Sequence, residues 1–188
     1  MRTLNTRLLL TLAAIGVACG LLLMPFGPLH AGIITGAPFI YAAMLGLYLL
    51  PGAIAQRLLQ LPGTAIIAAA FTGVVDMLNP LQTGGPRSLL YISLFGLLQE
   101  LAYLVFTRFK SWPKWPAWVG AAAVSLICAT AFSFLFDMSR FGIWAVIVSL
   151  VLAPVVYIVI TMIAQAIADS LRRAGVASRT SRRERQRP

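Results

Sequence analysis

The chain has 188 residues, of which 60% are hydrophobic and only 11% are charged. Soluble domains keep about a quarter of their residues charged, so this composition excludes an ordinary soluble domain and indicates a protein of the lipid bilayer. The formal net charge of +10 does not indicate a nucleic-acid partner, because many of the arginines crowd into residues 172–188. We interpret that basic segment as a cytoplasmic tail in contact with anionic lipid.

Six apolar segments are predicted to be transmembrane helices, because a helix needs about 20 residues to cross the hydrocarbon core. They cover residues 8–25, 37–59, 61–80, 88–106, 117–136 and 143–168. Residues 26–35 are predicted to be a loop, and residues 175–188 a basic, disordered tail. The sequence therefore predicts an all-α integral membrane protein, with a six-helix membrane domain over residues 1–174.

The first predicted helix carries small residues at helical spacing, Ala14 with Ala18 and Gly16 with Gly20. Small residues four apart let two helices approach closely. This face is expected either to pack within the chain's own bundle or to dock on a partner subunit.

The second predicted helix places Tyr41 and Tyr48 on one face, since they are seven residues apart, and Pro51-Gly52 should kink it. The third opens at Pro62-Gly63 and carries one carboxylate, Asp76, near its end at Asn79-Pro80. A charge at membrane depth is costly and usually faces the bundle interior or a cavity. Asp76 is therefore either a ligand-binding group or a hydrogen-bonded structural acid.

The fourth predicted helix contains Tyr91, Gln99 and Glu100. Glu100 is the deepest acid, about 12 Å of helix rise from the charged exit of its helix. Arg57 ends the second helix on the same side of the membrane. We expect these two residues to form a buried ion pair between the second and fourth helices.

Polar and aromatic residues cluster where the fifth predicted helix ends and the sixth begins. Asp137 and Arg140 are three residues apart and can pair on one turn. Phe134, Phe136 and Trp144 lie close to them in sequence, and a flat heteroaromatic ligand would stack on such rings. The pair is predicted either to be a solvated surface pair or to belong to a binding site.

Basic residues gather at the N-terminus, at Arg57, in the loop 108–114 and in the tail, so the positive-inside rule predicts that both termini are cytoplasmic. No nucleophile beside a usable histidine, no metal-ligand set and no ATP-binding motif is present in the sequence. We therefore expect no enzymatic activity, no cofactor and no metal site, and active transport would need a separate ATPase.

Four short runs carry a resemblance to a known family. The runs are residues 46–52 (GLYLLPG), 61–65 (LPGTA), 75–78 (VDML) and 96–100 (GLLQE). Over about residues 41–112 the chain resembles the YkoE-type substrate-binding (S) components of energy-coupling factor (ECF) transporters. The acid is Asp76, where thiamine-binding members of that family carry a glutamate, so its reach is one methylene shorter.

The resemblance implies a six-helix protein of the bacterial cytoplasmic membrane that captures a vitamin, thiamine or its hydroxymethylpyrimidine precursor, from outside. It implies a transmembrane coupling (T) subunit and two cytoplasmic ATPases as partners, with Ala14 and Ala18 suited to docking. By position, the resemblance assigns Asp76, Tyr48, Gln99 and Asp137 to the substrate site. Together with the residues singled out above, the predicted substrate-binding set is Tyr41, Tyr48, Asp76, Asn79, Tyr91, Gln99, Phe134, Asp137 and Trp144.

Two other functions are compatible with the residues. One is a structural or assembly membrane protein whose buried polar residues only pair helices. The other is a membrane enzyme, which the missing nucleophile and metal sets disfavour.

Overall fold

The three-dimensional structure is a computed structural model that describes residues 6–80 and 85–175. Within that part of the chain every regular element is helical. The α-helices are α1 (Thr6–Leu23), α2 (Phe26–Gly36), α3 (Pro38–Met44), α4 (Leu50–Leu59), α5 (Thr64–Met77), α6 (Arg87–Thr107), α7 (Trp115–Leu135) and α8 (Ile143–Arg173), with 3₁₀ turns at Leu45–Leu49 and Met138–Phe141. Apart from Gly175, the predicted disordered tail lies outside the described residues.

Five of the described segments are long and apolar enough to cross a membrane: Thr6–Leu23, Ile40–Leu59, Arg87–Thr107, Trp115–Leu135 and Ile143–Arg173. Helix α5 is also apolar but has 14 residues, or about 21 Å of rise. The membrane-protein class therefore agrees with the sequence, whereas the count of six spans and the orientation stay predictions.

The segment between the first two spans was predicted to be a loop, and that prediction is wrong. Helix α2 occupies Phe26–Gly36 and ends with the Ala37 N–H bonded to the Ile33 carbonyl oxygen at 2.8 Å. Its glycines suggested a loop. Pro28 falls in the first helical turn, where its missing N–H breaks no intrahelical bond.

The second span is interrupted near Pro51-Gly52, as its sequence predicted. The chain passes from α3 through the 3₁₀ turn Leu45–Leu49 into α4, where Pro51 occupies the first turn. A proline fits the first turn of a helix, where its missing N–H breaks no intrahelical bond. The interruption places Tyr48 on the tight turn, with its side chain buried.

Helix α5 is the centre of the bundle and packs against α1, α4 and α6. Two glycines allow these close crossings. A Cβ at Gly16 of α1 would lie 2.5 Å from the Ala68 carbonyl oxygen, and a Cβ at Gly96 of α6 would lie 2.7 Å from that of Ala65. Helix α8 covers the other side against α3, α4 and α7, and it continues five residues beyond the predicted end at residue 168.

Candidate functional site: a buried carboxylate among aromatic rings

Asp76 lies in the last turn of α5 and is only 2% exposed. The Tyr48 hydroxyl donates to its Oδ1 over 3.4 Å, which is long for an O–H···O bond. Tyr48 is itself 2% exposed and reaches Asp76 from the 3₁₀ turn. The interruption of the second span thus places the Tyr48 hydroxyl beside the Asp76 carboxylate of α5.

Two further tyrosines, Tyr41 in α3 and Tyr91 in α6, pack against the same hydrophobic core as Tyr48. Both tyrosines are half-buried. The structure therefore brings Asp76, Tyr41, Tyr48 and Tyr91 of the predicted set into one neighbourhood.

Aromatic rings extend from this neighbourhood in two directions. Tyr41 lies against Phe132 of α7 and Phe136 directly after this helix, with ring centroids 5.3 and 6.5 Å away. These two phenylalanines stack on each other at 5.3 Å. Tyr48 lies parallel to Phe95, with centroids 6.5 Å apart and an angle of 13° between the planes. The rings that contact Tyr41 and Tyr48 thus come from α6 and from the C-terminal end of α7.

The sequence missed Phe132 and Phe95 and favoured Phe134 instead. Phe134 is 83% exposed and Trp144 is 74% exposed, so neither belongs to this cluster. The helical spacing in α7 could have identified the right residues. Residues 132 and 136 are four apart and share a face, whereas residue 134 is rotated by about 200° from residue 132. Phe132 and Phe136, and not Phe134, therefore contact the tyrosine cluster.

Asn79 and Gln99 lie near the cluster and hold backbone groups. The Asn79 side-chain amide donates to the Met24 carbonyl oxygen at 3.1 Å, and that of Gln99 donates to the Leu49 carbonyl oxygen at 3.0 Å. The Gln99 bond fixes the end of the 3₁₀ turn that carries Tyr48. A Cβ at Gly52 would collide with the Gln99 side chain, which explains why a glycine follows Pro51.

Asp137 is not gathered into this cluster. It is exposed and pairs with Arg140, with 2.6 Å between Oδ2 and Nε. The prediction that these residues pair on one turn is confirmed, and the pair is of the solvated surface kind.

The predicted ion pair between Arg57 and Glu100 is wrong. Arg57 instead pairs with Asp169 of α8, Nε to Oδ1 at 2.8 Å, and donates to the Trp112 carbonyl oxygen at 3.1 Å. Glu100 accepts the backbone N–H of Ala65 at 2.8 Å. The first N–H groups of a helix lack internal partners and carry partial positive charge. The start of α5 therefore binds Oε1 of a carboxylate that the sequence assigned to a side-chain cation, while Oε2 is buried without a hydrogen-bond partner.

The two small-residue pairs of helix α1 lie on different faces, one buried and one exposed. Gly16 and Gly20 are buried against α5, whereas Ala14 and Ala18 are exposed on the outer face of the bundle. Internal packing therefore uses the glycine pair and leaves the alanine pair uncovered.

A family model described as the permease component of an ABC-type cobalt transport system matches residues 8–128. The chain belongs to this family. As a member of this permease family it is a component of a transporter and not an enzyme, as its sequence predicted. A search among curated proteins gives no match.

One solved structure shares the fold of this permease-family chain. It is titled "Crystal structure of an S-component of ECF transporter", and the two chains agree with a TM-score of 0.80 over 98% of this chain and 96% of that one. Their sequences are 18% identical, so the likeness establishes the common fold.

Proposed function

We propose that this chain is the substrate-capturing component of an ECF-type importer and that it binds thiamine or the hydroxymethylpyrimidine precursor of thiamine. One observation carries the proposal: the buried carboxylate of Asp76 accepts a hydrogen bond from the phenol of Tyr48, whose ring stacks on Phe95. Membership of a transporter permease family and the fold shared with an S component support it.

The chemistry of the site suits a flat cationic or amino-substituted ring. A carboxylate accepts strong hydrogen bonds from an aminopyrimidine, and tyrosine faces attract a thiazolium cation. Binding would replace the Tyr48 hydroxyl on Asp76. At 3.4 Å that bond is weak, so a ligand amine can displace it at small cost. Tyr41 and Phe132 would then offer their faces to the ring.

The family name mentions cobalt, which makes a metal ion the natural competing substrate. A protein site for a divalent transition metal such as cobalt needs several imidazole, thiolate or carboxylate ligands around the ion. Among the described residues, no group of three or more His, Cys, Asp or Glu side chains lies together. Since the cluster around Asp76 consists of one acid and several rings, we favour an organic ligand and include Co²⁺ in the test.

Delivery would require a coupling (T) subunit and two cytoplasmic ATPases, as the resemblance to S components implies. The exposed face of Ala14 and Ala18 in α1 supports docking of a coupling subunit there, because small residues permit close helix contact. We place the chain in the bacterial cytoplasmic membrane with both termini inside and the Asp76 end facing outward.

The alternative is a structural membrane protein whose buried polar residues only pair helices, and some residues do act in this way. Asn79, Gln99 and Glu100 do tie helices together through backbone groups. The transporter family nevertheless favours transport over assembly.

Calorimetric titration of the purified chain with thiamine, hydroxymethylpyrimidine and Co²⁺ tests the proposal. Asp76→Asn should weaken binding of the organic ligand about 10- to 100-fold, the worth of a hydrogen bond to a charged group. Glu100→Gln neutralises the other buried acid, about 16 Å away along α5, and should leave the affinity unchanged. Equal affinity in the wild type and Asp76→Asn, or a heat signal with Co²⁺ only, would contradict the proposal.

A further inference from the structure

An open cavity lies at the opposite end of the bundle from Asp76. Its volume is about 620 Å³, within the range of small-molecule sites. It lies where α4 and α8 end and α7 begins. The lining residues are Arg57, Lys114, Ala166, Asp169, Ser170, Arg172 and Arg173.

The lining is strongly cationic. Four of its side chains are basic and one is acidic, which gives a formal net charge of +3. Asp169 pairs with Arg57 at 2.8 Å and with Lys114 at 2.9 Å. One carboxylate thus holds two cations in place but neutralises only one of them.

Other contacts fix the arrangement before any ligand arrives. The Arg57 guanidinium also donates to the Trp112 carbonyl oxygen at 3.1 Å, and Arg173 donates to the Ser170 hydroxyl at 3.3 Å. Cations already ordered by the protein lose less entropy when an anion binds. The cavity therefore offers a preorganised group of donors.

The position of the cavity indicates the depth at which a ligand would sit. Trp112 lies beside Arg57, and Trp118 donates its indole N–H to Gln165 of α8 at 3.1 Å. Tryptophans concentrate at the level of the lipid headgroups. Basic pockets between helices at this level bind the phosphate of anionic lipids.

We infer that this cavity binds an anionic phosphate group, supplied by a phospholipid headgroup or by a free phosphate compound. Arg57 and Lys114, held by Asp169, would contact the phosphate oxygens, and Arg172 and Arg173 would close the outer side. Guanidinium groups match phosphate geometry through paired N–H donors. The site does not depend on the proposed vitamin function.

Native mass spectrometry of the full chain in detergent tests the inference. The probes are short-chain phosphatidylglycerol, phosphatidylcholine of the same chain length, and inorganic phosphate. Near a membrane surface each Lys or Arg contributes about a fivefold factor in anion affinity. Lys114→Gln with Arg173→Gln should therefore weaken phosphatidylglycerol binding about 25-fold. Arg172→Gln with Arg173→Gln is the substitute if the first pair fails to fold.

The matched control is Arg108→Gln with Lys110→Gln, which removes two cations from the neighbouring loop but none from the lining. It should leave binding within about twofold, with phosphatidylcholine binding weakly throughout. Inorganic phosphate that binds with the same sensitivity to the variants would identify the source as soluble. Equal binding of the two lipids by the wild type, or an equal loss in the control variant, would overturn the inference.

Discussion

At the scale of single residues, Asp76 and Glu100 are the buried acids of the described residues, and they have different hydrogen-bond partners. Asp76 ends α5 and meets a phenol, whereas Glu100 meets the backbone N–H at the start of the same helix. A hydrogen-bonded helix start keeps its partner, but a phenol at 3.4 Å is exchangeable. We therefore propose Asp76 as the ligand-binding acid and Glu100 as a structural group.

Glu100 should therefore act as a cap on α5 and not as a partner of Arg57. Glu100→Ala leaves the Ala65 N–H buried without its acceptor and should cost about 1–3 kcal/mol of stability. Glu100→Gln should cost less, because its amide oxygen still accepts. Denaturant unfolding in mixed micelles measures both changes.

A double-mutant cycle separates the two interpretations of Arg57. Combining Arg57→Ala with Glu100→Ala should be additive to within about 0.5 kcal/mol, whereas Arg57→Ala with Asp169→Ala should show coupling above that level. Strong coupling between Arg57 and Glu100 would restore the ion pair that the sequence suggested.

The sequence indicated which polar and aromatic residues are buried in the bundle better than it indicated their hydrogen-bond partners. It identified Asp76, Tyr41 and Tyr48, because an acid in an apolar helix and aromatics seven residues apart are local signals. It assigned Glu100 to Arg57 because an acid and a base near the same membrane face attract each other. The competing partner was the helix backbone, which composition does not display.

At the scale of elements, the helices of the long spans were predictable because each is a nearly continuous apolar run. The α2 helix was missed, since its segment contains Gly27 and Gly32, and glycine is unfavourable inside helices. The 3₁₀ turn was foreseen as a kink at Pro51-Gly52, although its role of directing Tyr48 towards Asp76 depends on where α5 and α6 lie.

The two small-residue pairs of α1 should behave differently when enlarged. Gly16→Ala places a methyl 2.5 Å from the Ala68 carbonyl oxygen, so α1 must move from α5, at a cost of about 1–3 kcal/mol. Ala18→Leu adds bulk on the exposed face and should leave the stability of the isolated chain nearly unchanged.

The same Ala18→Leu change should weaken co-purification with a co-expressed coupling subunit, and Ala14→Leu should act alike. Thermal unfolding and pull-down yield, measured in parallel, separate the two effects. Intact complexes with both leucine variants would move the docking surface away from this face of α1.

At the scale of the whole molecule, the bundle separates two kinds of chemistry. One end holds a carboxylate among rings, and the other holds a group of ordered cations at the level of the tryptophans. Charge asymmetry of this kind predicts which end faces the cytoplasm. Cysteine labelling in sealed vesicles should modify Ser111→Cys from inside and Pro86→Cys from outside, and the reverse pattern would invert the orientation.

The most direct test of the account is mass spectrometry of the small molecule that co-purifies with the chain from cells grown in rich medium. Wild-type protein should carry thiamine or its pyrimidine precursor in near-equal molar amount, and Asp76→Asn should carry almost none. Protein that retains the same ligand after Asp76→Asn, or that carries cobalt and no organic molecule, would contradict the claim that Asp76 and its rings form the substrate site.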